Sequence, residues 1–461
     1  MSRWGNVVLK HIAEFIASLP ARPASPSASD IAITEFMGAP PETARDIGTV
    51  LEVLDRASAD AVETAGPGFM GAVPGGGLYA SALGSFYTAA LNRYSGLVMG
   101  APSLAAIEEG VIGWIARDVV GLPATAGGLL TSGGSMANFS AVVAARHAQL
   151  GEDLSRAALY VSPSAHHSVA KAARMAGLGA ASVRVVPAGP DLRMSVAAAT
   201  ALIASDRAAG LRPFLIVGTA GTTSTGTIDP LQDLAGLARR EGLWFHVDAA
   251  YGGFFRLTER GRDRLAGMEL ADSVTLDPHK SLFLPFGTGA LVVRDPGTLA
   301  AAHAGTGAYL QDVGADHRLA DYSSLGPELT HEVRGIRVWL PLQLHGVAAF
   351  RAALDEKLDL TEHAYHRLRD LPHLEVPWTP DLTTVGFRVR PSGVGAGAVR
   401  AADDAGCRLL EQVNADGRVY LTSTLADNRY LARLTVLSHR THIDRVDVAL
   451  GLIAQAAVVL S

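Results

Sequence analysis

Apolar residues recur at helical spacing through residues 7–19 (VVLKHIAEFIASL), and the proline- and serine-rich PARPASPSASD then ends that pattern. This reads as a helical arm followed by an extended linker. A second helical run, TARDIGTVLEVLDRASADAV, leads into GPGFMGAVPGGGLY, whose glycines forbid regular structure and let backbones approach closely. Such a loop is either a packing corner or the wall of a binding site. From about residue 80 to 345, helical stretches alternate with short apolar runs: LYVSP (159–163), SVRVVP (182–187), PFLIVGTAG (213–221), LWFHVDAAY (243–251), DSVTLD (272–277) and GALVVR (289–294). Strands separated by helices imply crossover units, a largely parallel sheet, and ligands gathered at the carboxyl ends of its strands. One long helical stretch, WLPLQLHGVAAFRAALDEKLDLTEHAYHRLRDL, then gives way to strand-like TTVGFRVR and YLARLTVL with flanking helices. That is the pattern of a smaller α+β domain.

A chain of 461 residues exceeds what one hydrophobic core normally holds, so two or three subdomains are expected. Its 39 basic and 45 acidic residues leave a net charge of -6 with no long run of either sign, which argues against a nucleic-acid partner. Charged residues interrupt the apolar run of MSRWGNVVLKHIAEFIASLP, so neither a signal peptide nor a membrane span is legible there. A soluble, cytoplasmic protein is expected. The single cysteine, Cys407, excludes an intrachain disulfide framework and reads as a small buried apolar side chain.

Five segments carry candidate chemistry. TSGGSMANFSAVVAAR (131–146) is a glycine-serine turn running into a helix, and free amides with a nearby hydroxyl at a helix start suit a phosphate. Ser135, Met136 and Ala137 are the candidate contacts, the latter two through backbone. Ordinary capping gives the same pattern, and the spacing matches neither the Walker nor the dinucleotide fingerprint. WFHVDAAYGGFF ends an apolar strand on Asp248, a carboxylate that needs a partner if buried, and the small Ala250 beyond it leaves room for a flat ring. Asp248 could equally cap the next segment. GTAGTTSTGTIDPL and SAHHSVAKAARMAG place hydroxyls and His166 in loops after strands, with His167 expected to point elsewhere. Lys280 stands in DSVTLDPHKSLFLPFGTG between a strand and a strongly apolar run, where a dry setting is expected to lower its pKa. Pyridoxal phosphate (PLP) needs such a lysine, an acidic partner for its pyridinium nitrogen and a phosphate cradle. Lys280, Asp248 and the Ser135 turn supply all three. No metal-ligand set is expected.

The sequence resembles the group II PLP-dependent amino acid decarboxylases, the family of aromatic-amino-acid, glutamate, histidine and diaminobutyrate decarboxylases. The resemblance runs over nearly the whole chain: APSLAAIEEGVIGWI, TSGGSMAN, AHHSV, GTTSTGTID, HVDAAY, DPHK and RYLARLTVLSHRT. It implies an α/β fold of the PLP-dependent transferase type I (aspartate aminotransferase-like), with a mostly parallel central sheet flanked by helices. The expected divisions are an N-terminal arm and dimerisation segment (1–78), a large PLP-binding domain (79–345) and a small C-terminal domain (346–461). By the same resemblance Lys280 is the internal aldimine lysine, His279 and Asp277 lie toward the phosphate, Asp248 pairs with the ring nitrogen, His166 stacks on the ring and Thr223 lies near it. Tyr309 matches the loop tyrosine that returns a proton to the quinonoid after carbon dioxide leaves, and Arg433 matches an arginine that meets a substrate carboxylate in glutamate-type members.

The arm and linker at 1–48 cannot bury their apolar face alone, so a homodimer is expected whose arms embrace, with the Tyr309 loop at or near the shared interface. Val73-Pro74-Gly75-Gly76-Gly77 replaces a larger, polar-containing loop at the substrate wall, with Val73 and Gly75 as candidate substrate contacts. Phe69, Met70, Val73 and Leu78 favour an aromatic or apolar amino acid over glutamate. The expected reaction is α-decarboxylation of an L-amino acid to its amine. The alternatives are decarboxylation-dependent oxidative deamination or other PLP lyase chemistry on a biosynthetic intermediate, and a non-catalytic relative acting as a binding subunit.

Overall fold

The computed structural model describes residues 2–25, 33–305, 319 and 321–459. The chain divides into two compact units, residues 73–362 with 378–385, and residues 1–72 with 363–377 and 386–461.

The larger unit is built on seven strands: β1 (Gly127–Thr131), β2 (Ala157–Val161), β3 (Val183–Val185), β4 (Arg212–Thr219), β5 (Trp244–Asp248), β6 (Ser273–Leu276) and β7 (Gly289–Val293). They lie in the order β1-β7-β6-β5-β4-β2-β3. Only β7 runs antiparallel to its neighbours, pairing that way with both β1 and β6. The sheet is therefore mostly parallel, as the alternation of strands and helices requires. Its strands read as unbroken apolar runs because helices cover both faces, leaving no side of β2 or β5 to solvent. Phe214, Leu215 and Val217 of β4 pack with Val142 and Ala145 of the helix Gly134–Leu150 and with Val169 and Ala173 of the helix His167–Met175 in one dry layer.

β1 escapes the apolar-run pattern because two of its five residues are glycine. A Cβ on Gly128 would stand 2.0 Å from Leu291 O, so the close approach of β1 to β7 itself demands glycine. The long helical stretch of the sequence is present as Gly335–Arg369 but is interrupted at Gly346, whose φ of 74° is non-helical. Glycine takes that conformation at no steric cost, and a helix does not survive it.

The smaller unit contains the arm helix Ser2–Ser18, the helix Ile47–Ser58 and a sheet of order β10-β11-β9-β8, formed by β8 (Leu374–Glu375), β9 (Thr384–Val389), β10 (Thr422–Ala426) and β11 (Arg429–Thr435). The helices Ala396–Ala415 and Ile443–Val459 complete it. Cys407 is only half-buried, not enclosed as expected. It flanks the inward stripe of Ala402, Ala405, Gly406 and Leu409 instead of belonging to it. Among the described residues no helix is long and apolar enough to cross a membrane.

Candidate active site

The carboxyl ends of β1, β4, β5 and β6 and the loop after β2 surround a cavity of about 300 Å³, lined among others by Ser135, Met136, His166, Thr223, Asp248, Ala250, Asp277, His279 and Lys280. Nine residues proposed from separate segments of sequence thus share one space, of the size small-molecule sites begin at. Ala137 is fully buried beneath it, and the amides of Met136 and Ala137 already donate to Gly133 O at 3.0 and 3.1 Å. The side-chain hydroxyl of Ser135 and the start of the helix Gly134–Leu150 are what that turn offers to an anion.

Lys280 sits in a single helical turn, Pro278–Ser281, directly after β6. Its Nζ lies 3.1 Å from Asp277 Oδ2, and its side chain is 21% exposed. The expected dry setting is not what surrounds it. Leu282, Phe283 and Leu284 are buried in the core, while hydroxyls, histidines and carboxylates line the space that Lys280 shares. The apolar run anchors the turn and leaves the amine in a polar chamber. Gly75 supports the turn from outside, since its amide donates to His279 O at 3.2 Å and a Cβ there would stand 2.2 Å from Lys280 O. Neither Val73 nor Gly75 lines the cavity.

Asp248 ends β5 and is 5% exposed. Asn138 Nδ2 donates to its Oδ2 at 2.9 Å and the Ala250 amide to its Oδ1 at 3.2 Å, which holds the carboxylate fixed while it faces the cavity. His166 caps the helix His167–Met175, and its Nδ1 lies 2.7 Å from Ser168 Oγ. Burial pushes the His166 pKa down, against the opposing pull of Asp248. His167 is exposed, as expected. His279 Nδ1 donates to Thr288 O at 2.7 Å, which turns Nε2 toward Asp277 Oδ2 at 3.6 Å.

Asp277 Oδ1 is buried with no hydrogen-bond partner among the described residues, and a Cβ on Gly134 would stand 2.9 Å from Asp277 Oδ2 and 3.1 Å from Ala250 Cβ. The floor is thus kept low by glycine and alanine, with the Lys280 amine beside the Asp277 carboxylate, Asp277 close to the helix start at Gly134, and Ser135 and the Asp248 carboxylate lining the same space. This set fits PLP: an anion for the ring nitrogen, an amine for the aldehyde, a small floor for the flat ring and a helix N-terminus for the phosphate.

Asn138, Ser168, Thr219 and Tyr251 also line the cavity and were not singled out from sequence. Asn138 carried a signal, being an amide on the buried face of a helix that is otherwise mostly alanine and valine there. Tyr309 lies outside the described residues. In the smaller unit Arg433, on β11, donates to Thr422 Oγ1 at 2.8 Å and to Gly71 O at 3.3 Å, and burial pushes its pKa down.

The family model described as the pyridoxal-dependent decarboxylase conserved domain matches residues 35–390. The chain is 31% identical to an aromatic-L-amino-acid decarboxylase of Bacillus atrophaeus, over 96% of this chain and 92% of that one. It is 28% identical to a phenylacetaldehyde synthase of a Rosa hybrid cultivar, over 78% of this chain and 75% of that one. The crystal structure of Oryza sativa TDC with PLP and tryptamine superposes with a TM-score of 0.94 at 26% identity, covering 99% of this chain and 97% of that one.

Proposed function

Because the chain belongs to the pyridoxal-dependent decarboxylase family and is a PLP-dependent carboxy-lyase of fold type I, we propose that it removes the α-carboxylate of an aromatic or apolar L-amino acid to give the amine and carbon dioxide. The observation that carries the substrate class is the match across 96% of the chain to a relative named for aromatic L-amino acids. Phe69, Met70, Val73 and Leu78, expected at the substrate wall, do not line the cavity and lend this reading no support.

Bound in this cavity, PLP supplies an aldehyde for a lysine amine and an electron sink for the bonding pair that departing carbon dioxide leaves behind. Lys280 is the amine that would hold the cofactor. The Asp248 carboxylate, pinned by Asn138 and the Ala250 amide, stabilises positive charge at the ring nitrogen, and its fixed orientation spares reorganisation during the reaction. The His166 imidazole would cover one ring face, and Ser135 with His279, which line the same cavity, would serve the phosphate end. Arg433 is the proposed partner of the substrate carboxylate. Tyr309 delivers a proton to the α-carbon once the carboxylate has gone.

The Tyr309 role sets the product. Tyr309→Phe should retain the cofactor and divert turnover from amine toward aldehyde, ammonia and hydrogen peroxide, with dioxygen and water consumed. An amine yield unchanged from the parent removes Tyr309 from the mechanism. The Rosa relative, named an aldehyde synthase, favours a second reading in which oxidative deamination is the native outcome. A screen of the PLP-loaded protein against L-amino acids decides between them, with carbon dioxide, amine, aldehyde and peroxide read together. Amine equal to carbon dioxide supports decarboxylation; aldehyde with peroxide supports the second reading.

A homodimer belongs to this proposal. Phe86, Tyr87 and Phe286 of the larger unit are 60%, 55% and 66% exposed, and Trp4 on the arm helix is 64% exposed. Each is a large apolar side chain that a partner subunit could cover. Sedimentation at micromolar concentration should give twice the chain mass, and a fully active monomer overturns the assignment.

A further inference from the structure

We propose that Asn138 is a positioning residue whose one side-chain amide couples the Asp248 carboxylate at the cofactor's edge to the His166 ring at its face. The inference rests on the reading that Asp248 and His166 meet PLP. Asn138 is 1% exposed on the helix Gly134–Leu150, the same helix whose first turn supplies Ser135 to the phosphate end.

Both ends of the network around Asn138 have a fixed sense. Asp248 only accepts as a carboxylate, so Asn138 must present Nδ2 to it, at 2.9 Å, and the same nitrogen donates to Ser168 Oγ at 2.9 Å. Asn138 Oδ1 therefore faces Thr275 Oγ1 at 2.8 Å and His246 Nε2 at 3.0 Å. An acceptor opposite His246 Nε2 requires the imidazole proton on that nitrogen and leaves Nδ1 to accept from Ser273 Oγ at 2.8 Å. Trp244 Nε1, which can only donate, fills the other side of Ser273 Oγ at 2.8 Å. Burial agrees, pushing the His246 pKa down to about 4 and keeping the ring neutral.

Ser168, having accepted from Asn138, passes its own hydrogen to His166 Nδ1 at 2.7 Å. His166 then carries its proton on Nε2. The amide of Asn138 uses all four of its hydrogen-bonding positions, and turning it over would set its oxygen against Asp248 and its nitrogen against the His246 N–H. One orientation survives. It fixes the Asp248 carboxylate and the His166 tautomer together.

The test uses PLP-loaded protein carrying a ¹⁵N-labelled ring, with ¹⁵N chemical shift and cofactor dissociation constant as readouts. Asp248→Asn is the reference and should move the ring-nitrogen resonance toward unprotonated pyridine. If it does not, the reading of Asp248 fails, and this inference falls with it. Given that shift, Asn138→Ala should move the resonance in the same direction and weaken PLP binding by about tenfold, the scale of one lost buried hydrogen bond. Ser140→Ala, a buried hydroxyl elsewhere on the same helix, should move neither. An unmoved resonance in folded, loaded Asn138→Ala overturns the proposal. Should that variant fail to fold, Thr275→Val removes one of the two donors that orient Asn138 Oδ1. It must then give a smaller shift of the same sign, and no shift overturns the proposal equally.

Discussion

Lys280→Ala abolishes turnover, by roughly 10⁴-fold or more, because it deletes a nucleophile and a proton-transfer group in one step. The visible absorbance that marks a lysine-bound cofactor should vanish with it. The turn around Lys280 does not depend on the side chain: its amide donates to Asp277 O at 2.9 Å, and Leu282 and Phe283 lock the following residues into the core. The variant should therefore fold, and PLP should bind without a covalent link. Lys280→Arg separates charge from nucleophilicity. A guanidinium keeps the pairing with Asp277 but stays protonated at any working pH and cannot attack an aldehyde. Equal loss in both variants assigns the effect to the missing amine. Carbon dioxide release above about one percent of the parent rate in either variant, accompanied by the absorbance band, would falsify the assignment of Lys280.

The central fold was legible because strands buried on both faces write themselves as apolar runs, as β2, β5, β6 and β7 do, while the edge strand β3 is short, half-exposed and carries Arg184. β1 was not legible, since Gly128 answers to the close approach of Leu291 O and with Gly127 imitates a turn. The break at Gly346 was hidden for a related reason, because a single glycine inside a strong helical period leaves the period intact on either side. At the site, HVDAAY and DPHK announce a carboxylate and a lysine at strand ends, and both line one cavity.

What sequence could not supply is the environment of those groups. The run SLFLPF suggested a dry lysine. Residues adjacent in sequence point in different directions once a turn intervenes, so the leucines and phenylalanine went to the core and Lys280 to a chamber with Asp277 and His279. Asn138 was inside a quoted motif, yet its importance comes from His246, Asp248, Thr275 and Ser168. Those partners are far away in sequence and meet only when β5 and β6 pair beneath the helix Gly134–Leu150.

Asp248→Asn should lower kcat by about 10²–10⁴-fold while the protein remains folded. Breaking a buried charge pair costs about 3–5 kcal/mol, and each 1.36 kcal/mol is tenfold in rate. Asn138 donates to one carboxylate oxygen and the Ala250 amide to the other, so the substituted amide keeps one of the two bonds through its single oxygen and sets its nitrogen in place of the other oxygen. Its nitrogen, however, must then face the ring nitrogen as a donor, and a ring nitrogen that accepts a hydrogen bond carries no proton. The charge that draws the electron pair from the α-carbon is lost, so the expected fall is in kcat with substrate KM little changed. Asp248→Glu keeps the charge and moves it by one methylene, and it should recover part of the loss if charge at this edge is what matters. A kcat for Asp248→Asn within threefold of the parent, with PLP fully bound, would show that the ring works here without a proton. Asp248 would then be a cap on the turn after β5 and no more.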